Sequence, residues 1–274
     1  MQTLIVGVGV LGGPLQRMKR FASSATDNSI EDRILILPPM KRGSHMNAPH
    51  MLPTAALADA CVRANVTLRI APQGMAPIVP QWKVSGRAVP VRHYGSVDVF
   101  LEALGHAGSG DVLVVDNEGR KDEGCIGDQV TLETKLAGLG GIVIWGLHRD
   151  THDIRELGLP LFSNGCVPCG PTRVDPRAPD VFTSAHIGGC TVTRDDWVVG
   201  DSDGVIFIPL EKKDELFALA HSIWTTERTQ VADALEGRGL REQFKFADFL
   251  TERAANPELT FRQHLRKLRQ SIEE

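Results

Sequence analysis

Two short apolar runs constrain the fold of this chain more than any other feature of its sequence. Val112–Val115 and Ile142–Trp145 are each bounded by residues typical of turns, chiefly glycine and aspartate. Runs of this length between turn residues are typical of strands buried on both faces of a sheet. The segment 129–139 between them has the length and polarity of a helix. We therefore predict a strand, a helix and a second strand in a mixed α/β body.

Length and composition place the chain among ordinary globular proteins. Its 274 residues suffice for a sizeable core, and the contents of hydrophobic (42%) and charged residues (23%) are typical of such proteins. The net charge of −4 provides no basic field, so nucleic acid is not an expected partner. No apolar run approaches the roughly 20 residues of a transmembrane helix, so no membrane partner is expected. Five unevenly spaced cysteines indicate reduced thiols in a cytoplasmic protein.

Three segments are predicted along the chain. Residues 1–45 are interpreted as a non-native or tag-derived leader, because the string at 43–46 (Gly-Ser-His-Met) matches what expression vectors leave before a cloned start codon. The GxGxxG at 7–12 lacks the βαβ unit of a dinucleotide site, so it is a weak motif. Residues 46–210 form the predicted α/β domain. Residues 211–274 form a helical C-terminal extension, since their pattern changes to long charged helices.

The candidate chemistry lies at the ends of the two predicted strands. Gly127-Asp128 opens the helix between them, and Arg149-Asp150 follows the second strand, while Asp116 ends the first. Equivalent strand ends often share one edge of a sheet, where ligand sites gather. Carboxylates suit Mg²⁺ or Mn²⁺, and the planar guanidinium of arginine suits a 2-oxo acid. The free amides at the start of the helix suit a carboxylate.

The same residues allow simpler interpretations. Asp128 can be a helix cap, and Arg149 with Asp150 a solvent-exposed ion pair; the pattern alone favours this interpretation slightly. His148 and His152, with Asp150 and Asp153, could form a zinc-type cluster. No HExxH motif is present, so a solvated loop explains the two histidines better.

Other elements follow from local pattern. We predict a strand at 84–92 with Gly86 as a bulge, and a further strand at 187–192. Gly140-Gly141 is expected to end the helix in the left-handed conformation. The lone Cys-x-x-Cys at 166–169 is rich in proline and glycine. It predicts an extended loop rather than a redox or zinc site, which would need a helix or a second cysteine pair.

Five motifs occur in order along the chain: Gly110–Asp116, Gly127-Asp128, Gly140–Asp150, Arg155–Phe162 and Val199–Val205. In these motifs and their order the chain resembles the RraA-like family, which includes the 4-hydroxy-4-methyl-2-oxoglutarate/4-carboxy-4-hydroxy-2-oxoadipate aldolases. The resemblance covers roughly residues 52–209 and implies a swivelling β/β/α fold assembled as trimers or hexamers.

The resemblance also implies a divalent-metal lyase that cleaves a 4-hydroxy-2-oxo diacid to pyruvate, with oxaloacetate decarboxylase as a side activity. By this resemblance Asp150 binds Mg²⁺ or Mn²⁺ directly, and Asp128 acts through a metal-bound water. Arg149 contacts the keto or enolate oxygen. Catalytic roles are thus implied for Arg149 and Asp128. The implied substrate-binding residues are Gly127, Asp128, Gln129, Val130 and Arg149.

The resemblance allows one alternative function, and the chain departs from the family pattern at several positions. Some relatives regulate the RNA-degradation machinery by binding a protein partner, so a non-catalytic regulator is the alternative. The family usually has Asp-Gly before its Arg-Asp pair, where this chain has Trp145-Gly146. The segments 121–123 and 166–169 also depart from the family pattern.

Overall fold

The structure, a computed structural model, describes residues 51–268, which form an α/β body followed by helices. The predicted leader at 1–45 and its glycine motif lie outside the described residues. The helices are α1 (Thr54–Arg63), α2 (Asp98–Leu104), α3 (Asp128–Leu136), α4 (Thr151–Leu157), α5 (Lys213–Leu235), α6 (Leu240–Gln243), α7 (Phe246–Ala255) and α8 (Phe261–Leu268). The strands are β1 (Arg69–Ile70), β2 (Ala76–Pro77), β3 (Val84–Arg92), β4 (Val112–Asp116), β5 (Gly124–Ile126), β6 (Gly141–Trp145), β7 (Leu147–His148), β8 (Leu161–Ser163), β9 (Ala185–Ile187), β10 (Cys190–Val192), β11 (Asp196–Asp201) and β12 (Gly204–Pro209).

Eight strands form one mixed sheet in the order β1-β12-β11-β3-β4-β6-β8-β2. β3, β4, β6 and β8 run parallel, whereas β11, β12 and β1 extend the sheet through antiparallel pairs. β2 pairs with β8 and also lies against β11 and β12, so the sheet curls on itself. The β9–β10 hairpin and the parallel β5–β7 pair lie outside this sheet. The predicted α/β fold with a helical C-terminal region is confirmed.

The hydrophobic core consists of three clusters. One lies between the parallel strands and helices α2, α3 and α4, and includes Phe100, Ile144 and Ile154. The second fills the inside of the curled sheet, around Phe162 and Phe207. The third joins α1 and α5 to strands β11 and β12. Because β4 and β6 carry core clusters on both faces, their sequences are apolar at almost every position.

The helices after β12 differ in how they pack. α5 lies against α1 and buries Leu216, Ala220 and Ile223 in the third core cluster. α7 and α8 pack through a group of aromatic rings, in which Phe249 lies 5.0 Å from Phe261 between ring centroids. None of the helices in 51–268 is long and apolar enough to cross a membrane.

Three local predictions are wrong, each for a physical reason. Gly86 pairs with β11 in continuous register and forms no bulge; its missing side chain admits the Gly110 carbonyl, 2.2 Å from where a Cβ would lie. α3 ends at Leu136, and the left-handed glycine is Gly138 (φ +81°), because β6 already begins at Gly141. The predicted strand at 187–192 is a hairpin, since a two-glycine turn interrupts it.

Candidate functional site

Strands β5 and β7 bring the two halves of the predicted site together. They run parallel, with Gly124 opposite Leu147 and Ile126 opposite His148. The backbone N–H of Arg149 donates to the Ile126 carbonyl at 2.9 Å. The segment before Gly127-Asp128 is thereby fixed against the segment that leads into Arg149-Asp150.

Gly127 leaves room for the Arg149-Asp150 pair. Its backbone is extended, with φ −124° and ψ −162°, so a side chain would meet no backbone strain there. A Cβ at this position would lie 2.1 Å from Oδ2 of Asp150 and 3.1 Å from Nε of Arg149. The requirement for glycine at residue 127 is therefore one of space.

Arg149 and Asp150 form an ion pair between neighbours, with 3.2 Å between Nε and Oδ2. Asp150 has a left-handed backbone (φ 57°) and precedes α4, yet its side chain makes no capping hydrogen bond. A Cβ on Gly170 would lie 2.8 Å from Nη1 of Arg149, so the loop carrying Gly170 forms the neighbouring wall. Both side chains are partly exposed, Arg149 by 45% and Asp150 by 33%, so each remains open to a ligand.

The start of α3 offers unused backbone donors. Gly127 occupies the N-cap position and Asp128 is the first helical residue, without a capping hydrogen bond, so the interpretation of Asp128 as a helix cap is wrong. The first intrahelical bond runs from the N–H of Thr131 to the Gly127 carbonyl. The N–H groups of the preceding residues, including Gln129 and Val130, have no intrahelical acceptor, which suits them to bind an anion.

These residues line one cavity of about 400 Å³. Its wall includes Gly127, Asp128, Gln129, Val130 and Arg149, the residues predicted to bind substrate. The Asp150 carboxylate lies behind Gly127, next to this wall. The structure thus brings the predicted residues together, while their roles stay predictions.

Asp116, the other strand-end carboxylate, has a structural role. Its Oδ1 accepts the N–H of Glu118 and its Oδ2 the N–H of His186, both at 2.9 Å. Both oxygens are used and the residue is buried, so Asp116 holds the turn after β4 and the β9 strand in place.

The carboxylates at the cavity match the ligands of a magnesium-type cation better than those of zinc. Residues 51–268 contain no group of three or more His, Cys, Asp and Glu side chains arranged for a metal. Mg²⁺ commonly takes one or two carboxylates and keeps several waters, so Asp150 with Asp128 fits that mode. Zinc does not fit, because both ring nitrogens of His148 are engaged by the hydroxyls of Ser163 (2.7 Å) and Thr151 (2.8 Å).

Sequence reasoning missed a buried polar network beside the cavity. His93, which lines the cavity, follows β3 at the edge where β4 and β6 also end. Its Nδ1 lies 2.8 Å from Oδ1 of Asn117 and 3.7 Å from Oε1 of Glu123. Arg173 donates to both oxygens of Glu123, at 2.9 and 3.2 Å, and to Oδ1 of Asn117 at 3.2 Å. We call these four residues the His93 network.

Burial lowers the pKa of His93 below its ordinary value, while the hydrogen bond to Asn117 and the charge of Glu123 oppose this shift. The residue is only 6% exposed, and its ring stacks on Phe100 with 5.1 Å between centroids. His93 is therefore a neutral imidazole near neutral pH. One signal for it was available in the sequence, because a polar residue directly after a strand often lies at a ligand-binding edge.

The departures from the family pattern lie near one another. The Gly124 N–H donates to the Cys169 carbonyl at 2.8 Å, and Sγ of Cys169 lies 3.1 Å from the Asp122 carbonyl oxygen. The segments 121–123 and 166–169 thus lie against each other, and 166–169 is an extended loop rather than a helix. Trp145 packs on Gly119, where a Cβ would lie 2.7 Å from the indole ring.

Relatives of known sequence resemble the body of this chain. A protein of Alcanivorax borkumensis, named "Putative 4-hydroxy-4-methyl-2-oxoglutarate aldolase", is 30% identical over 124 residues. The match covers 45% of this chain and 76% of that protein.

Solved structures resemble it as well. An uncharacterized protein from Pseudomonas syringae superposes with a TM-score of 0.61 at 28% identity, covering 70% of this chain and 92% of that one. Streptomyces coelicolor RraAS2, described as an unusual member of the RNase ES inhibitor RraA protein family, superposes with a TM-score of 0.56 at 27% identity. That match covers 67% of this chain and 91% of RraAS2.

The family model described as RraA-like, Aldolase/RraA, matches residues 54–207. These residues are more than half of the chain and contain the curled sheet up to the middle of β12, the cavity and the Arg149-Asp150 pair. The chain belongs to the RraA-like family.

Proposed function

We propose that this protein is a divalent-metal-dependent lyase that cleaves a 4-hydroxy-2-oxo diacid to pyruvate by a retro-aldol reaction and also decarboxylates oxaloacetate. One observation carries the proposal. Gly127 leaves the space that the Asp150 carboxylate occupies, so that Arg149 and the free amides at the start of α3 line one cavity with Asp150 directly behind Gly127. The name of the Alcanivorax relative supports the same reaction class.

The residues of the chain act on different parts of the substrate. The amides of Gln129 and Val130 bind the carboxylate next to the keto group, where the helix dipole favours negative charge. Arg149 donates to the keto oxygen and stabilises the charge that develops there as the carbon–carbon bond breaks. The ion pair with Asp150 orients the guanidinium before the substrate enters.

Mg²⁺ or Mn²⁺ is the proposed cofactor, held directly by Asp150 and through water by Asp128. When bound, such a cation supplies further positive charge to the keto oxygen. Asp128 suits the water-mediated role because its carboxylate makes no capping bond and lines the cavity.

A homotrimer or hexamer in the cytoplasm is the proposed setting. An apolar groove of about 570 Å³ adjoins the cavity and is lined by α2 and α3. Its residues Val97, Leu101 and Leu132 are each at least 41% exposed, which is typical of a surface that meets another subunit. Light scattering coupled to size-exclusion chromatography measures the oligomer, and a monomer would contradict this part.

Pyruvate release tests the proposed function. Purified protein is assayed with 4-hydroxy-4-methyl-2-oxoglutarate and with oxaloacetate, in Mg²⁺ and then in EDTA. We expect release that EDTA abolishes and added Mg²⁺ or Mn²⁺ restores. Asp150→Asn is expected to lose activity with both substrates, whereas Asp203→Asn, in the β11–β12 turn, serves as a matched control. Absence of metal-dependent pyruvate from the wild type would contradict the lyase assignment.

A non-catalytic regulator of RNA degradation is the second candidate. The description of Streptomyces RraAS2 as a member of an RNase ES inhibitor family favours it. Inhibition of an RNase E-type nuclease by the protein, together with no pyruvate release, would support this candidate.

A further inference from the structure

We infer that His93 is a catalytic base of this enzyme and removes the proton from the C4 hydroxyl of the 4-hydroxy-2-oxo acid. This inference rests on the proposed lyase function and adds a residue to it. The observation behind it is that His93 is a buried imidazole that lines the same cavity as Arg149 and the start of α3.

The His93 network fixes which ring nitrogen carries the proton. Arg173 donates to Oδ1 of Asn117 at 3.2 Å, so this atom of the side-chain amide is the oxygen. Nδ1 of His93 lies 2.8 Å from that oxygen, which only accepts hydrogen bonds. Nδ1 therefore holds the proton in the neutral ring, and Nε2 carries the lone pair.

Nε2 is free to act. Within residues 51–268 no group forms a hydrogen bond with Nε2. Nε2 is also not one of the fully buried polar atoms that lack a partner in that range, so it keeps some accessible surface. Nδ1 is held in the network and the ring face rests on Phe100, so the lone pair of Nε2 is the remaining polar feature that His93 presents. An oriented imidazole with a free nitrogen in a ligand cavity is the arrangement of a general base.

The charged groups around the ring support a transient proton on Nε2. Glu123 lies 3.7 Å from Nδ1 and stabilises an imidazolium, as a carboxylate does in catalytic triads. Two other charged groups act on the ring: Arg173 disfavours its protonated form and Asp175 favours it. These two side chains form an ion pair with each other. Arg173 also holds Glu123 in place through two hydrogen bonds.

The proposed step transfers one proton to His93 and breaks one carbon–carbon bond. Nε2 takes the proton of the C4 hydroxyl, the C4 oxygen forms a carbonyl, and the C3–C4 bond breaks. Its electron pair becomes the enolate of pyruvate, whose oxygen lies at Arg149. Solvent then protonates C3 to give pyruvate, and His93 returns its proton to solvent.

Decarboxylation of oxaloacetate requires no such base, because oxaloacetate has no hydroxyl at C4. In oxaloacetate the bond that breaks joins C3 to the C4 carboxylate, which leaves as CO2, and only the resulting enolate has to be stabilised. The two reactions therefore share Arg149 but differ in their need for His93, which separates a catalytic role from a structural one.

The test compares wild type, His93→Gln and His106→Gln with both substrates. His106 is exposed and serves as the matched control. We expect His93→Gln to lower kcat for hydroxy-acid cleavage by about 100-fold or more, within the usual range for a general base, and to leave oxaloacetate decarboxylation little changed. In wild type the acidic limb of the cleavage profile should lie below the ordinary pKa of a histidine side chain, since burial lowers the pKa of His93. This limb should be lost in His93→Gln.

A second measurement uses the metal-free wild-type protein and does not depend on activity. Nitrogen-15 NMR of the histidine rings, assigned through His93→Gln, should show His93 with its proton on Nδ1. A proton on Nε2 would overturn the inference even if the variant were to fold poorly.

The outcomes separate the two proposals. Equal losses of both activities in His93→Gln, or no loss of cleavage, overturn the role of His93 but leave the lyase function intact. A wild type that is inactive with both substrates overturns the lyase function and, with it, this inference.

Discussion

Adding one methyl group at residue 127 tests the geometry of the site. In Gly127→Ala the new Cβ would lie 2.1 Å from Oδ2 of Asp150, whereas non-bonded atoms prefer roughly 3.5 Å or more. The carboxylate must therefore move by more than about 1 Å, and the guanidinium of Arg149 must move with it. A displacement of this size can lower activity by about 100-fold. We expect that loss in kcat/KM for pyruvate release, equivalent to about 2.7 kcal/mol in the activation free energy.

The same substitution should leave the fold intact. The backbone of Gly127 is extended, and alanine in a compatible conformation stabilises a protein by up to about 1 kcal/mol through the unfolded state. The groups that must move are partly exposed side chains rather than backbone. The free energy of unfolding in urea should thus change by about 1 kcal/mol or less.

Gly189→Ala is the matched control, because a Cβ there would meet no heavy atom within 4 Å. It should match the wild type in both activity and stability. Wild-type activity in Gly127→Ala would refute the reasoning, as would a loss of activity that follows from unfolding. Weaker Mn²⁺ binding by Gly127→Ala, measured by calorimetry, would indicate that the displaced Asp150 carboxylate binds the metal.

Three further predictions follow from other positions. Arg149→Lys should lower kcat/KM for both substrates by about 100-fold, because an ammonium group lacks the planar fork of guanidinium; steady-state kinetics measures this. Gly86→Ala should lower the free energy of unfolding in urea by about 2 kcal/mol or more, since its Cβ would meet a facing backbone carbonyl oxygen at 2.2 Å. Thiol titration of the native protein should show rapid reaction of the exposed Cys166 and Cys169, which Cys166→Ser and Cys169→Ser would remove. Cys125 should react only on unfolding, because burial raises the pKa of its thiol; its rapid labelling would contradict the structure.

Local pattern determined much of the secondary structure. The strands β4 and β6 and the helix between them were predictable, because a strand buried on both faces needs apolar residues throughout. Gly158 ends α4 in the left-handed conformation, as a glycine directly after a helix commonly does. Local pattern failed where a glycine serves a distant contact: Gly86 leaves room for the Gly110 backbone carbonyl, and Gly127 leaves room for the Asp150 carboxylate.

The ordered motifs also determined the family and the residues expected at the site. Gly127-Asp128 and Arg149-Asp150 could be chosen from the sequence, because strand ends gather ligand-binding groups. Asp116 satisfied the same rule, yet its carboxylate is used by two backbone amides. Sequence pattern cannot separate these cases, since it does not show which donors surround a carboxylate in the folded chain.

Only the tertiary structure decided that His93 lines the cavity and which residues surround its ring. His93, Asn117, Glu123 and Arg173 are spread over about 80 residues and share no periodicity. They meet because β3 and β4 pair in parallel with Arg92 opposite Asp116, and because the loop carrying Arg173 folds back over them. Strand order and loop path are set by packing of the whole domain. The sequence alone therefore indicated the fold class and the family, whereas only the structure showed which imidazole lines the cavity.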